Sequence, residues 1–458
     1  MSQTDLRDHA CLLPCLWRMN RNMANPITFI HALTWDSLSD AVKTQAELNL
    51  LDVLGVGAGG FPTPTSQIIR DHAHEDFGGT IPLLFDGRLA SPLGGALAAG
   101  TMIDSLDGHD GFNPAKGHIA APMVPAALMA AHVANASGRA FLEAIVVGYE
   151  IGARTAMAQH ATCPDYHTSG SWGAVAAAAA VSRLMGLDAD TTRHALGIAE
   201  YHAPRSQMMR CIDFPTMVKD GAGWGAMTGL SAARLAAKGF TGAPAITVED
   251  APDFWADLGE RWYILEQYYK PYPVCRWAQA PMEGAMALQQ THDVRTSDIE
   301  GIEIHTFLES VRLATKRPRN GEEAQYSTSF PVAAALVHQD VRPEHLEGAA
   351  LQDAEVLRLS DATEVIESDF ANEKFPAQRF ARTTLRLKNG TRLEGAWMEP
   401  KWDHTKPPTA QELRDKFHSL ADPVIGAERA IHIENGLREL ANGPLSNLTD
   451  HLFTPIKS

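Results

Sequence analysis

Apolar positions along most of this chain recur every three to four residues, and glycine or proline separates the runs. From about Ala32 to Val53, the residues Val42, Ala46, Leu48, Leu51 and Val53 fall at helical spacing behind Asp36 and Ser37, two capping types. The same period predicts helices at roughly 91–104, 121–137, 139–159, 170–185, 189–201, 221–238 and 277–290. Near residue 295 the texture changes. Ile299 to His305 alternates as a strand does, and Val365 to Asp369 reads as a short strand. Thr383–Leu387 and Thr391–Glu394 flank Lys388-Asn389-Gly390, an Asn-Gly hairpin signal. Helices are expected between these strands, at 327–339 and 344–351. After Pro407-Pro408 the chain turns helical again, with Thr409 capping a helix through Phe417 and a last helix at about 426–441. The predicted fold class is mainly α. A large all-helical domain is built from both chain ends (26–285 with 406–445), and a smaller α+β domain (286–405) is inserted in it. Residues 1–25 hold no sustained period and read as a tail, in which Met23 offers an alternative start.

Composition narrows the function classes. The 458 residues are 45% hydrophobic and 21% charged, as in an ordinary soluble globular chain. Against 55 Asp+Glu stand 39 Lys+Arg, a net charge of −16, which excludes a nucleic-acid surface but leaves room for a small basic pocket. Aromatic residues are scarce at 7% and alanine is abundant, which suits closely packed helices. The longest apolar runs, such as Ala174–Val181, fall short of the ~20 residues that span a bilayer, so no membrane partner is expected. The cysteines Cys11, Cys15, Cys163, Cys211 and Cys275 are odd in number and scattered, and read as free thiols in a reducing cytoplasm.

Three apparent motifs carry little. Gly55-Val56-Gly57-Ala58-Gly59-Gly60 fits G-x-G-x-x-G, but a helical pattern precedes it where the dinucleotide fingerprint needs a strand. A glycine-rich helix exit is the better reading. His72-Ala73-His74-Glu75-Asp76 has no matching second cluster and reads as a solvated loop. Cys11 and Cys15 have no histidine partners, so no metal site is expected there either.

Four segments carry chemistry. Asp107-Gly108-His109-Asp110 to Lys116-Gly117-His118 packs ionisable groups into a glycine-rich loop ahead of an apolar helix, where they are costly to desolvate unless paired or used. Tyr166-His167-Thr168 precedes an alanine-rich helix, whose N-terminus suits a neutral imidazole base at His167. Lys219-Asp220-Gly221 heads another small-residue helix. Lys270-Pro271-Tyr272-Pro273-Val274-Cys275-Arg276 sets two cations around a rigid turn. Each has a plainer reading: Asp107 paired with Lys116, Lys219 and Asp220 as a surface pair, Arg276 as a brace between domains. Together, two His, two Lys, one Arg and one Asp at helix starts suit a polycarboxylate with an acid/base pair beside it.

These segments, in this order, resemble the MmgE/PrpD family over about residues 27–440. Gly239-Phe240-Thr241-Gly242, Ala324-Gln325-Tyr326-Ser327 before Phe330-Pro331, and Lys416-Phe417 extend the likeness. The resemblance implies a helical domain with a smaller lid, a cytoplasmic homodimer, and an active site between the domains that needs no organic cofactor. It implies Asp107, His118, His167 and Lys219 as catalytic residues and Lys270 as a further member of the site. Arg276 and Tyr272 are added as substrate-binding from their place in the Lys270–Arg276 turn. The implied substrate is a small di- or tricarboxylate. The implied chemistry is proton abstraction α to a carboxylate, with dehydration first and epimerisation or decarboxylation as alternatives. His118 and His167 would be base and acid in either order. Lys219, Lys270 and Arg276 would hold carboxylates, and Asp107 would orient a His or Lys. Gln279 stands where many relatives have His. Phe330 stands where the family's decarboxylase has a functional Tyr, which argues against that activity.

Overall fold

The computed structural model describes residues 25–163 and 165–456, so the predicted tail, the Met23 start and Cys11/Cys15 lie outside the described residues except for Asn25. The first predicted helix starts later than expected, and a short separate helix precedes it. Asn25 caps a short helix, Pro26–Ala32, and Ser39, not Asp36 or Ser37, caps α1 (Asp40–Gly60). α1 runs through the whole glycine stretch. Those glycines are the surface on which other elements rest: a Cβ on Gly55 would lie 2.9 Å from Phe417 Cδ2, and one on Gly60 2.2 Å from the Met102 carbonyl oxygen. The run His72–Asp76 is not a loop either. It closes α2 (Pro64–Asp76), where His72 Nδ1 meets Asp76 Oδ2 at 2.7 Å across one turn.

The remaining helices of the larger body follow the predicted runs: α3 (Pro92–Asp104), α4 (Ala120–Val133), α5 (Gly138–Thr162), α6 (Ser169–Leu184), α7 (Ala189–His202) and α8 (Ala222–Ala236). Every residue of Ala174–Val181 on α6 is fully buried. Small side chains let the backbones touch, so that a Cβ on Gly229 of α8 would stand 2.4 Å from the Ala174 carbonyl oxygen. No described helix is long and apolar enough to cross a membrane.

A second cluster of buried side chains gathers around a four-stranded sheet. α9 (Arg276–Thr291), β1 (Ile299–Thr306), α10 (Ser329–His338), α11 (Ala354–Asp361), β2 (Thr363–Glu367), β3 (Ala381–Leu387) and β4 (Arg392–Glu394) build it. The strand order is β2-β1-β3-β4, with β1 and β2 parallel and the other pairs antiparallel. The Asn-Gly hairpin forms between β3 and β4, with Gly390 at φ +84°. Ile302, Ile304 and Leu385 pack with Ala278, Met282 and Met286 of α9. Residues 344–351 are not an α-helix. They form two short 3-10 turns, Pro343–His345 and Gly348–Gln352, and Asp353 then caps α11, an element the period did not reveal.

Thr409 caps α12 (Ala410–Ile425) in a capping box with Glu412, as predicted, but the helix continues past Phe417 through Pro423. α12 and α13 (Ala427–Glu439) return to the first body, where Phe417, Leu420 and Leu437 join its core. The chain is thus mainly α, with small sheets.

Candidate active site

The loop between α3 and α4 is held from three directions. Gly111-Phe112 pairs antiparallel with Gln267-Tyr268, which sets the Lys270 turn beside the loop. From α12, Lys416 Nζ donates to the Gly108 carbonyl (2.7 Å) and to Asp52 Oδ1 (2.5 Å). Tyr149 Oη donates to Asp110 Oδ2 (2.7 Å). The fixed backbone includes left-handed residues that are not glycine: Asp107 at φ +51°, Lys116 at +54° and, across the site, Lys219 at +42°. Such residues typically cost 1–3 kcal/mol each and persist only where the surroundings over-determine them.

His118 is the centre of the arrangement. Its backbone N–H donates to Ser169 Oγ (2.9 Å), and that hydroxyl donates to Asp220 Oδ2 (2.6 Å). Its Nδ1 lies 2.5 Å from the Asp110 carbonyl oxygen. A carbonyl only accepts, so Nδ1 carries the proton and the neutral ring presents a bare Nε2. That nitrogen is 3.8 Å from Asp107 Oδ1 and 3.8 Å from Asp220 Oδ2. Burial, then the charge of Lys270 and the neighbouring His109, hold the His118 pKa well below the ordinary histidine value. The imidazole is therefore an unprotonated base in water near neutral pH.

The carboxylates around it differ. Lys270 Nζ donates to both the side chain (2.7 Å) and the carbonyl (2.8 Å) of Asp107. Burial pushes the Asp107 carboxyl up, but Lys270 and His118 outweigh it and leave it below the usual carboxylate value. Burial likewise opposes the charge on Lys270, and Asp107 restores it above the ordinary lysine value. Asp220 and Asp104 go the other way. Burial first, then each other's charge or that of Asp107, raises Asp220 to about 7 and Asp104 to about 6. One oxygen of each is buried without a hydrogen-bond partner. Lys219 Nζ donates to Gln325 Oε1, from the turn before α10, and lies 5.2 Å from the centre of the Tyr326 ring. A cavity of about 170 Å³ opens beside Lys219 and Asp104, walled by Thr65, Thr101 and Trp224.

The structure thus brings Asp107, His118, Lys219 and Lys270 together. His167 stands apart: burial, then Arg205, lower its pKa, and its buried Nδ1 has no partner. In sequence it precedes Ser169, the residue that bonds Asp220, by two positions. Arg276 Nη1 donates to the carbonyls of Tyr269 (2.9 Å) and Lys401 (2.7 Å) at the junction of the two bodies, while its buried Nε has no hydrogen-bond partner. The Tyr272 phenol faces Glu283 and Asp340 in the sheet-side body. Phe330 is fully buried in that same core. Lys219 and Asp220 are no surface pair, since both are buried and bond in different directions.

Sequence reasoning missed Asp220, Asp104 and His109. His109 is fully buried edge-on to His118, ring centres 4.3 Å apart, with Nε2 3.6 Å from Asp104 Oδ1. Burial, then Lys270, lowers its pKa to about 3. The signal for His109 and Asp220 was present, since both lie inside segments singled out above. Asp104 is the last residue of α3 and looked like an ordinary helix end. Among the described residues, no three His, Cys, Asp or Glu side chains are grouped to hold a metal ion.

A desolvated imidazole flanked by an ionised and a proton-holding carboxyl, with two buried lysines alongside, is an arrangement chemically able to do general acid–base work next to an anionic group. The chain belongs to the MmgE/PrpD family: the MmgE/PrpD N-terminal domain matches residues 27–256 and the MmgE/PrpD C-terminal domain residues 272–439. It is similar to cis-aconitate decarboxylase-like protein oryM of Aspergillus oryzae, 27% identical over 87% of this chain and 90% of that protein. It is also similar to cis-aconitate decarboxylases of Aspergillus terreus (22% identical, 93% of this chain and 94% of the relative) and Mus musculus (24%, 86% of each).

Proposed function

We propose that this protein is a cofactor-independent lyase for a small di- or tricarboxylate. His118 Nε2 would take the proton α to a carboxylate, and loss of hydroxide from the neighbouring carbon would complete a dehydration. The observation that carries this reading is the bare Nε2 of a buried, neutral His118 beside the buried ammonium of Lys270. The hard step is an enolate-like intermediate, and Lys219 and Lys270 would stabilise its charge in a site where burial strengthens each interaction. Asp107 would hold Lys270 in place, and Asp220 would return a proton to the leaving group or to carbon.

Decarboxylation is the second reading, favoured by the names of the relatives. There, loss of CO₂ leaves the same kind of carbanion, and the acid partner of His118 protonates it. Proton NMR in D₂O over a panel of hydroxy-polycarboxylates and their alkenes, cis-aconitate included, separates the outcomes. A new alkene signal supports dehydration, CO₂ release supports decarboxylation, and exchange without net change supports epimerisation. His118→Gln is expected to lose 10²–10⁴-fold in kcat with its fold intact; full activity in that variant sinks all three. The family resemblance also implies a homodimer, for which light scattering after gel filtration is the test.

A further inference from the structure

The sheet-side body sends toward the site a buried cation that has no carboxylate partner among the described residues. Arg379 lies just before β3 and is only 4% exposed. Its Nη1 donates to Asn113 Oδ1 of the α3–α4 loop, and its guanidinium carbon lies 5.7 Å from the centre of the Tyr268 ring and 5.9 Å from that of Phe375. Its Nε is buried with no hydrogen-bond partner, and among the described residues it forms no ion pair with a carboxylate. Two more cations stand close enough to feel its charge, Arg276 and the half-buried Lys116, whose Nζ sits 4.5 Å from the centre of the Tyr166 ring. Arg276 has Asp403 at 3.6 Å and the carbonyls of Tyr269 and Lys401, and Asp403 also accepts from Asn113 (2.8 Å).

A buried guanidinium without a carboxylate is costly, and like-charged neighbours raise that cost. An anion at Arg379 would relieve both and satisfy Nε. The place is connected to the acid–base centre. The Tyr268 ring neighbours both, its centre 6.3 Å from that of the His118 ring and 5.7 Å from the Arg379 guanidinium carbon. A short polycarboxylate reaching past that ring would have one end at His118 and another at the guanidinium.

We propose that Arg379 anchors a second carboxylate of the substrate, remote from the reacting carbon, and so selects polycarboxylates over monocarboxylates. This rests on the reading of His118, Lys219 and Lys270 as the reacting end. Asn113 holds the guanidinium in place and the incoming carboxylate takes its fork. The reacting end would bind a monocarboxylate equally well; discrimination would come from Arg379.

The test is titration calorimetry on the full chain with paired ligands: succinate against its monoamide, and glutarate against its monoamide. The wild-type protein is expected to bind the ligand with the extra carboxylate more tightly. Arg379→Gln should weaken that ligand about tenfold or more and leave its partner unchanged. In turnover, KM should rise while kcat changes far less. Arg379→Lys keeps the charge but loses the fork, so it should recover part of the preference; it also serves as the readout if Arg379→Gln does not fold. If the wild type prefers the extra carboxylate and both variants keep that preference, the Arg379 proposal fails and the reacting-end reading stands. If the wild type binds none of these acids, both fall together.

Discussion

His118 Nε2 has two carboxyl neighbours at equal distance, and they are not equivalent. Asp107 is held ionised by Lys270, whereas Asp220, about 7 under burial and the charge of Asp104, still carries a proton for much of the physiological range. A base and an acid thus face one reaction space. Asp220→Asn tests this. The wild-type profile of kcat/KM against pH is expected to bend near pH 7 where Asp220 titrates, and the variant should lose that bend. At the lower pH where His118 titrates, Asp220 is already protonated and neutral, so the acidic limb set by His118 should stay in place. An unchanged profile would show that Asp220 does no more than hold Ser169. Reading Asp220 and Lys219 as two separate buried contacts required three-dimensional knowledge, because adjacent opposite charges in sequence usually mean a solvated pair.

Among the elements, α1 shows how glycine serves packing. Gly60→Ala drives a methyl group to within 2.2 Å of the Met102 carbonyl oxygen, a backbone atom that cannot swing aside. A loss of about 1–3 kcal/mol is expected in chemical denaturation, whereas Gly78→Ala, with nothing within 4 Å, should stay near neutral. Equal stability of the two would contradict the packing role. Most helices of the larger body were legible because their apolar period is unbroken and their ends carry caps or glycines. α2 was not, since its last turn is a run of His, Glu and Asp whose helical bonds are local and polar. The loop carrying Asp107 and His118 was legible from its density of ionisable groups. Arg379 was not: it meets Asn113 across 266 positions, and no local pattern records a contact that the sheet creates.

At the scale of the whole molecule, burial of charge makes stability depend on pH in two opposing ways. Asp104, Asp110 and Asp220 have folded pKa values raised to about 6 or 7. The folded chain keeps protons that the unfolded chain releases above about pH 4, so their contribution falls as pH rises from there to about 7. The buried His109 and the half-buried His160, lowered to about 3 and about 4, act in reverse: the unfolded chain gains protons below about 6.5, so stability rises with pH up to that point. The two effects offset each other below about 6.5, and above it the carboxyls alone remain. Asp110→Asn isolates one of them. Its unfolding free energy relative to wild type, from chemical denaturation, should rise between about pH 4 and 7 and level off above, toward a difference on the order of 4 kcal/mol at most, and a constant gap across that window would contradict it.

The left-handed residues at the site carry a consequence for anyone improving this protein. Asp107, Lys116 and Lys219 occupy backbone conformations in which glycine would be the more comfortable residue. Exchange of Asp107 would strand the buried Lys270 ammonium, but at Lys219, which has no carboxylate partner among the described residues, a screen that rewards heat resistance alone would favour variants lacking the side chain proposed to stabilise the intermediate. Selection for durability in this scaffold has to be coupled to turnover from the first round.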